Sequence, residues 1–156
     1  MDTSEKLPNF SFLGPLLLSN SGKVNTEETL KSDQVVGLYF SAFWSVACKQ
    51  FTPTLSELYK KWNIKSKKIE IIFVSRDRNE DEFNEYYKEM PWLAIPFQNN
   101  NKISSLKLDY RVKGVPSLVI VDKKGQFLCG DAIEEIDILW EKALENFQEL
   151  RKKRYV

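Results

Sequence analysis

The chain has 156 residues, 42% of them hydrophobic and 13% aromatic, which fits one globular domain over residues 1–156 with a full hydrophobic core. Its 23 basic and 22 acidic residues give a net charge of +1, whereas a nucleic-acid-binding protein would carry a clear basic excess. No apolar run approaches the roughly 20 residues that cross a bilayer, and the first residues lack the basic and apolar blocks of a signal peptide. The sequence therefore predicts a cytoplasmic protein without nucleic-acid or membrane partners.

Few residue types are available for chemistry. The chain has no histidine, which excludes Cys–His zinc sites and histidine-based acid–base catalysis within it. The two cysteines, Cys48 and Cys129, are too few and too far apart to suggest a disulfide framework. No metal and no organic cofactor is implied, so any reaction has to use thiols, carboxylates, lysines or tyrosines.

The predicted elements alternate between strands and helices along the chain. An irregular first strand, or pair of strands, covers 10–18, a turn follows at 20–23, and one helical turn covers 26–31. A continuous apolar run predicts a strand at 35–42 that is buried on both faces, and a second buried strand is predicted at 69–74.

The remaining elements are indicated by helical spacing of apolar residues or by two short apolar runs around a turn. They are helices over 45–62, from Asn79, over 103–108 and over 136–150, and a hairpin that joins 117–121 to 126–129. Helices between strands require parallel pairing, and the hairpin adds antiparallel strands. The pattern predicts an α/β fold with a central mixed sheet flanked by helices on both faces.

The stretch from Tyr39 to Cys48 carries the strongest indication of function. A buried strand runs out into Trp44, and a helix begins immediately after it. The start of a helix offers free amide groups and a partial positive charge, which lower the pKa of a thiol. Thiols at positions 45 and 48 would therefore lie where Cys-x-x-Cys redox sites are built.

Four ordered blocks of sequence extend this indication over about residues 7–122. They are Leu38-Tyr39-Phe40-Ser41-Ala42-x-Trp44 with Phe51-Thr52-Pro53-x-Leu55, then Ser75-x-Asp77-x-Asn79-Glu80-x-Glu82-Phe83-x-x-Tyr86, then Met90-Pro91-Trp92-Leu93-Ala94-Ile95-Pro96-Phe97, and finally Tyr110-x-Val112-x-Gly114-Val115-Pro116-Ser117-Leu118. Together they resemble the tryparedoxin and nucleoredoxin branch of the thioredoxin superfamily. The resemblance implies a thioredoxin fold and thiol–disulfide oxidoreductase activity.

The resemblance also implies roles for residues around the helix start. The proline that matches Pro116 is cis in this fold and lies beside the thiol pair, and the backbone before it, at Val115, pairs with an extended substrate segment. Trp44 covers the surface of the site. Val46 and Ala47 replace the usual paired prolines between the two thiols. These five residues are the candidate substrate-binding surface.

This chain departs from the family motif Trp-Cys-x-x-Cys at Ser45. The retained Cys48 matches the second, more buried thiol, while Ser45 occupies the position of the attacking cysteine. A serine hydroxyl is far too weakly acidic to attack a disulfide, and no histidine is present to activate it. Ser45 is therefore expected to act as a helix N-cap. Two origins fit it: a naturally degenerate protein, or a cysteine replaced by its near-isostere.

Two hypotheses of function follow. The first is a redox protein that passes electrons between a small dithiol or a reductase and protein disulfides, disabled here for dithiol turnover by Ser45. The second is a non-catalytic module that holds a protein segment on the surface of Trp44 and Pro116, with Cys48 at most a monothiol. Cys129 is expected to be structural, and the basic run at 151–154 to be a solvated helix end.

Overall fold

The computed structural model describes residues 7–154. The strands are β1 (Leu16–Ser19), β2 (Gly22–Asn25), β3 (Val35–Ser41), β4 (Ile69–Ser75), β5 (Leu93–Ala94), β6 (Ser117–Val121) and β7 (Phe127–Cys129). The helices are α1 (Thr26–Thr29), α2 (Val46–Trp62), α3 (Glu80–Tyr87), α4 (Asn100–Asp109), α5 (Ala132–Leu139) and α6 (Ala143–Arg154). Short 3-10 turns cover Ser11–Leu13 and Trp140–Lys142.

The seven strands within residues 7–154 form one mixed sheet in the order β2-β1-β5-β4-β3-β6-β7. The central strands β3, β4 and β5 are parallel, because α2 and α3 carry the chain back between them. The hairpin of β6 and β7 runs antiparallel beside β3, and the hairpin of β1 and β2 runs antiparallel beside β5.

Helices cover both faces of this sheet, and a hydrophobic cluster lies on each. Alternate residues of a strand point to opposite faces, so Tyr39 of β3 belongs to one cluster and Leu38 to the other. The first cluster also contains residues of α2, α3, α5 and α6, and the second contains residues of α4 and of the Ser11–Leu13 turn. The predicted α/β class, with a central mixed sheet and helices on both faces, is confirmed.

The amino-terminal part differs from the sequence prediction. The range 10–18 is a strand only from Leu16 onward, after the 3-10 turn at Ser11–Leu13. The predicted turn at 20–23 is shorter, because the strand β2 already begins at Gly22. β2 lies at the edge of the sheet and has a single apolar side chain, Val24, so its sequence carries no alternating pattern that would predict a strand.

The closing helix predicted over 136–150 is two helices. α5 ends at Leu139, the next residue, Trp140, has a positive φ of 52°, and α6 begins at Ala143. The break leaves the Glu141 carbonyl free to accept a 2.8 Å hydrogen bond from Trp62 Nε1. Apolar spacing could not predict it, because residues on both sides pack into the same cluster. Among the described residues, no helix combines the length and apolar character needed to cross a membrane.

Candidate functional site

The site predicted from the sequence forms where β3 ends. A short loop follows Ser41, and α2 begins at Val46 with Ser45 as its N-cap. Ser45 has extended backbone angles, and its Oγ accepts a 3.2 Å hydrogen bond from the backbone N–H of Cys48. This contact satisfies one of the free amides at the helix start, so Ser45 has the capping role that the sequence predicts.

Cys48 lies in the first turn of α2, three residues after Ser45, and is fully buried. The residues between them point outward: Val46 is 71% exposed, and Ala47 is exposed as well. Residues 45–47 therefore form the outer surface of this turn, while the Cys48 side chain belongs to the core cluster that contains Tyr39. Ser45 itself is half-buried, so a side chain at position 45 is partly accessible to a partner, whereas the Cys48 thiol is not.

Four buried hydroxyl groups form a chain one helical turn beyond Cys48. The Tyr39 hydroxyl lies 2.8 Å from Thr52 Oγ1, which lies 2.5 Å from the Tyr86 hydroxyl, and that group lies 2.6 Å from Ser41 Oγ. Thr52 Oγ1 also donates to the Cys48 carbonyl at 2.8 Å. This network ties β3, α2 and α3 together at the base of the site.

Burial raises the pKa of both tyrosines in this network, Tyr39 and Tyr86, above the usual value for tyrosine. The neighbouring Cys48 adds to the rise of both values, and Tyr86 adds to that of Tyr39. Both hydroxyls therefore remain protonated at neutral pH and serve as hydrogen-bonding groups. The network positions the helix start and provides no base that could activate Ser45.

Asp77 fixes the loop between β3 and α2 from the neighbouring strand. It follows the end of β4, and its Oδ1 accepts a 2.6 Å hydrogen bond from the backbone N–H of Phe43. Its Oδ2 accepts a 2.7 Å bond from the Ser75 hydroxyl. Burial raises the pKa of this carboxyl, and the hydrogen bonds from Phe43 and Ser75 oppose that rise only in part.

Trp44 lies on the rim of the site and is 46% exposed. Its Nε1 donates a 3.0 Å hydrogen bond to the carbonyl of Arg76, whose own N–H donates to Ser41 at 2.9 Å. The guanidinium of Arg78 lies 5.8 Å from the centre of the indole ring. The end of β4 thus holds the indole in place while leaving one side of it open.

The loop before β6 reaches the same edge of the sheet. Phe40 pairs with Ser117 in the register of β3 and β6, so Val115 and Pro116 lie just beyond the last pair of that ladder. The peptide bond between Val115 and Pro116 is cis, and both side chains are half-buried. Trp44 and Val115 line one cleft. Segments about 70 residues apart in sequence therefore meet beside the start of α2.

Cys129 lies away from this site, in the edge strand β7, and both cysteines are free. Its thiol donates a 3.2 Å hydrogen bond to Asp131 Oδ1, and a Glu135 carboxylate oxygen lies within 4.8 Å of both groups. Burial and the bond to Asp131 raise the pKa of Cys129 to about 12. The thiol is protonated at neutral pH and has a structural role, in agreement with the sequence prediction.

The basic run at 151–154 ends α6 and is not wholly solvated. Arg154 Nη2 donates a 2.9 Å hydrogen bond to the Phe127 carbonyl, and its Nε lies 3.8 Å from Asp122 Oδ2. The predicted solvated helix end is thus corrected at Arg154, which attaches the helix end to the hairpin of β6 and β7.

Four residues of this site have no role predicted from the sequence: Thr52, Arg76, Asp77 and Tyr86. A carboxylate two residues after a buried parallel strand is a signal that could have identified Asp77, since such strand ends gather at one edge of the sheet. Thr52 and Tyr86 gave no comparable signal, because each fits the inward face of an amphipathic helix.

Comparison with known families and proteins places these features in context. A family model described as thioredoxin-like matches residues 33–127, which include the site. The chain is 40% identical to the nucleoredoxin of Xenopus laevis over 79% of its own length, but it spans only 29% of that protein. It is also 40% identical to the tryparedoxin of Trypanosoma brucei brucei, over 68% of this chain and 72% of that one.

Similarity to solved structures agrees with these matches. A tryparedoxin II complexed with glutathionylspermidine superposes with a TM-score of 0.78 and 29% sequence identity. The superposition covers 85% of this chain and 93% of the tryparedoxin. The fold and the sequence blocks therefore point to the same group of proteins.

Thr52→Val tests the hydroxyl network. Valine has nearly the same shape but cannot accept hydrogen bonds from Tyr39 and Tyr86, so buried hydroxyl groups lose a partner. We expect the free energy of unfolding in urea to fall by about 1–3 kcal/mol. The control Thr54→Val, on the same helix, should change it by less than about 0.5 kcal/mol. Equal losses from the two substitutions would contradict a special role for Thr52.

Asp77→Asn tests the buried carboxyl. Because the pKa of Asp77 is raised in the folded chain, its stabilising contribution is full below the unfolded value of about 3.9 and is lost as the pH rises through the folded value. The original chain should therefore gain stability relative to Asp77→Asn as the pH falls from 7 toward about 4. Urea unfolding of both chains at each pH measures this difference, and a constant or decreasing difference would refute the assignment.

Cys48 can be probed by alkylation in a Cys129→Ser background, where it is the sole thiol. Its complete burial means that iodoacetamide reaches it only after local opening of the first turn of α2. We expect labelling to be at least about tenfold slower than for an unstructured peptide thiol. Unfolding in urea should restore the peptide rate. Fast labelling of the folded chain would show that the thiol is accessible.

Proposed function

The chain belongs to the thioredoxin superfamily, in its tryparedoxin- and nucleoredoxin-like branch, and from that membership we propose that it is a thiol–disulfide oxidoreductase relative in which Ser45 occupies the position of the attacking cysteine. One observation carries the proposal. The Ser45 side chain lies at the accessible start of α2, and the buried Cys48 follows it by three residues on the same helical turn.

Dithiol exchange needs two sulfur atoms at these positions. A thiolate attacks one sulfur of a substrate disulfide and releases the other as a thiol, and a second thiol then attacks the mixed disulfide and frees the reduced substrate. The second step leaves a disulfide in the enzyme, because its two thiols supply the two electrons that reduce the substrate. With oxygen at position 45, the first attack does not occur and the disulfide cannot form. We therefore propose that the chain is disabled for dithiol turnover.

The buried tyrosines and Asp77, which lie around the start of α2 in the described part of the chain, do not activate Ser45. The buried tyrosines remain protonated because burial raises their pKa, and Asp77 is engaged by Phe43 and Ser75. The chain has no histidine. A serine hydroxyl without a general base is not a nucleophile at neutral pH.

A second candidate function is a non-catalytic binding module. The observation that favours it is the apolar surface beside position 45, where Val46 is 71% exposed and Trp44 46% exposed. Together with Ala47, Val115 and Pro116, these side chains offer a contact surface for an extended protein segment. In this function Cys48 contributes packing, and Ser45 contributes the helix cap.

The partners in this proposal are protein disulfides or a bound protein segment. When a thiol is present at position 45, the electron donor is a small dithiol or a reductase. Glutathionylspermidine, the ligand of the compared tryparedoxin, carries a polyamine. The cleft beside Trp44 is lined by Arg76, Lys107 and Lys113 in this chain, so we do not propose that ligand here. We propose a cytoplasmic location, which the two free thiols support.

Ser45→Cys tests the proposal directly. Cysteine at this position restores a sulfur three residues from Cys48, within the reach of a disulfide. We expect the variant, in a Cys129→Ser background, to form a reversible disulfide between positions 45 and 48. We also expect dithiothreitol-driven reduction of insulin above the reagent background. Thiol counting and insulin turbidity measure the two outcomes.

The matched controls are the unsubstituted Ser45 chain and Ser45→Ala, both in the same background. Neither should exceed the background rate of dithiothreitol alone. Turnover by the Ser45 chain would refute the claim that it is disabled. If Ser45→Cys forms the disulfide but never reduces insulin, the binding-module function becomes the better account.

A further inference from the structure

The lining of a small cleft next to position 45 contains cations and, among residues 7–154, no carboxylate. It lies between Trp44 and residues 112–115 and encloses about 100 Å³. Arg76, Lys107 and Lys113 supply its charge, and Trp44 and two valines supply apolar walls. The guanidinium of Arg78, 5.8 Å from the Trp44 ring centre, adds positive charge beside it.

Within the part of the chain that the structure describes, the cations of this cleft have no counterion. Arg76 and Lys107 are half-buried, yet no ion pair formed among residues 7–154 includes either of them or Lys113. The nearby Asp77 directs its two carboxylate oxygens to Phe43 and Ser75 instead. Half-buried cations without a partner lose hydration and gain no attraction in return, so a negatively charged group in the cleft would be favoured.

The size and position of the cleft indicate what that group belongs to. A space of about 100 Å³ takes one side chain and does not admit a helix or a stack of nucleobases. Its walls join Trp44, which immediately precedes Ser45, to Val115, which immediately precedes Pro116. A segment that places a side chain here therefore lies next to the start of α2, beside position 45.

We propose that this cleft is a docking subsite for an acidic side chain, glutamate or aspartate, in an extended segment of a partner protein. This inference adds a class of partner to the proposed function, and it rests on that function for the role given to position 45. The charge preference itself is independent of any sulfur chemistry, so it can be tested on the chain with Ser45 in place.

The test uses the ¹⁵N-labelled full chain and three capped peptides, Gly-Glu-Ser-Glu-Gly and its Gln and Lys analogues. Trp44 provides the reporter, since its indole N–H signal is one of four and is assigned by its loss in Trp44→Phe. We expect the Glu peptide to shift the Trp44 indole signal and the backbone signals of 112–115, with a Kd of about 1 mM or tighter at low salt. The shift should weaken as salt is added. The Gln and Lys peptides should leave these signals unmoved.

The double variant Lys107→Glu/Lys113→Glu should weaken binding of the Glu peptide by about tenfold. Lys65→Glu/Lys68→Glu is the matched control, because it makes the same charge change beyond the far end of α2. It should leave the Kd within about twofold. The amide spectrum of each variant reports folding in the same experiment, and Lys107→Gln/Lys113→Gln replaces the double variant if that one is misfolded.

Equal shifts with the three peptides, no shift with the Glu peptide, or equal weakening by the two double variants would each overturn the inference. A larger shift with glutathione or inorganic phosphate than with the Glu peptide at equal concentration would assign the cleft to a small anion and also overturn it. None of these outcomes bears on disulfide formation in Ser45→Cys, so failure of this inference and failure of the proposed function are distinguishable.

Discussion

Strand β3 is hydrogen-bonded on both sides, to β4 in parallel and to β6 in antiparallel register, and the rest of the site depends on where it ends. Its seven residues are all buried, so the strand has no freedom to slide without moving apolar side chains to the wrong face. Because β6 starts opposite Phe40, the loop before it must arrive at the edge where β3 gives way to α2. Trp44 and Val115 thus line one cleft as a consequence of strand register, and Ser45 and Pro116 follow them directly in the sequence.

A second layer of contacts holds this edge rigid, and none of it uses a thiol at position 45. The hydroxyl network through Thr52 secures the first turns of α2 from below, and Asp77 holds the preceding loop from β4. Arg76 holds Trp44 through its backbone carbonyl. These contacts place the Ser45 oxygen at the start of α2, at the position where the proposed function requires a sulfur atom. The proposed function separates the capacity to hold a partner segment from the capacity to reduce it.

The sequence predicted the central elements well, because β3 and β4 are mostly apolar runs and α2 has a clear helical period. The prediction failed where a strand lacks an apolar pattern, and where two helices share one continuous apolar pattern. β2 has one apolar residue, and the break at Trp140 interrupts the backbone without interrupting the apolar spacing. In the site, residues in the motif were found, whereas Thr52 and Arg76 act through contacts between distant segments. The sequence does not show whether a given lysine or arginine will lie close enough to a carboxylate to form an ion pair in the folded chain.

The measurement that tests the central claim most directly is a redox titration of Ser45→Cys in the Cys129→Ser background against glutathione or dithiothreitol buffers, followed by thiol trapping and mass spectrometry. If the site lacks only one sulfur atom, the trapped fractions should follow a single two-electron transition with a midpoint of roughly −270 to −180 mV, the range of dithiol oxidoreductases of this fold. Two independent one-thiol reactions with the buffer, with no internal disulfide at any potential, would contradict the claim, since they would show that the frame around Ser45 no longer brings positions 45 and 48 within bonding distance.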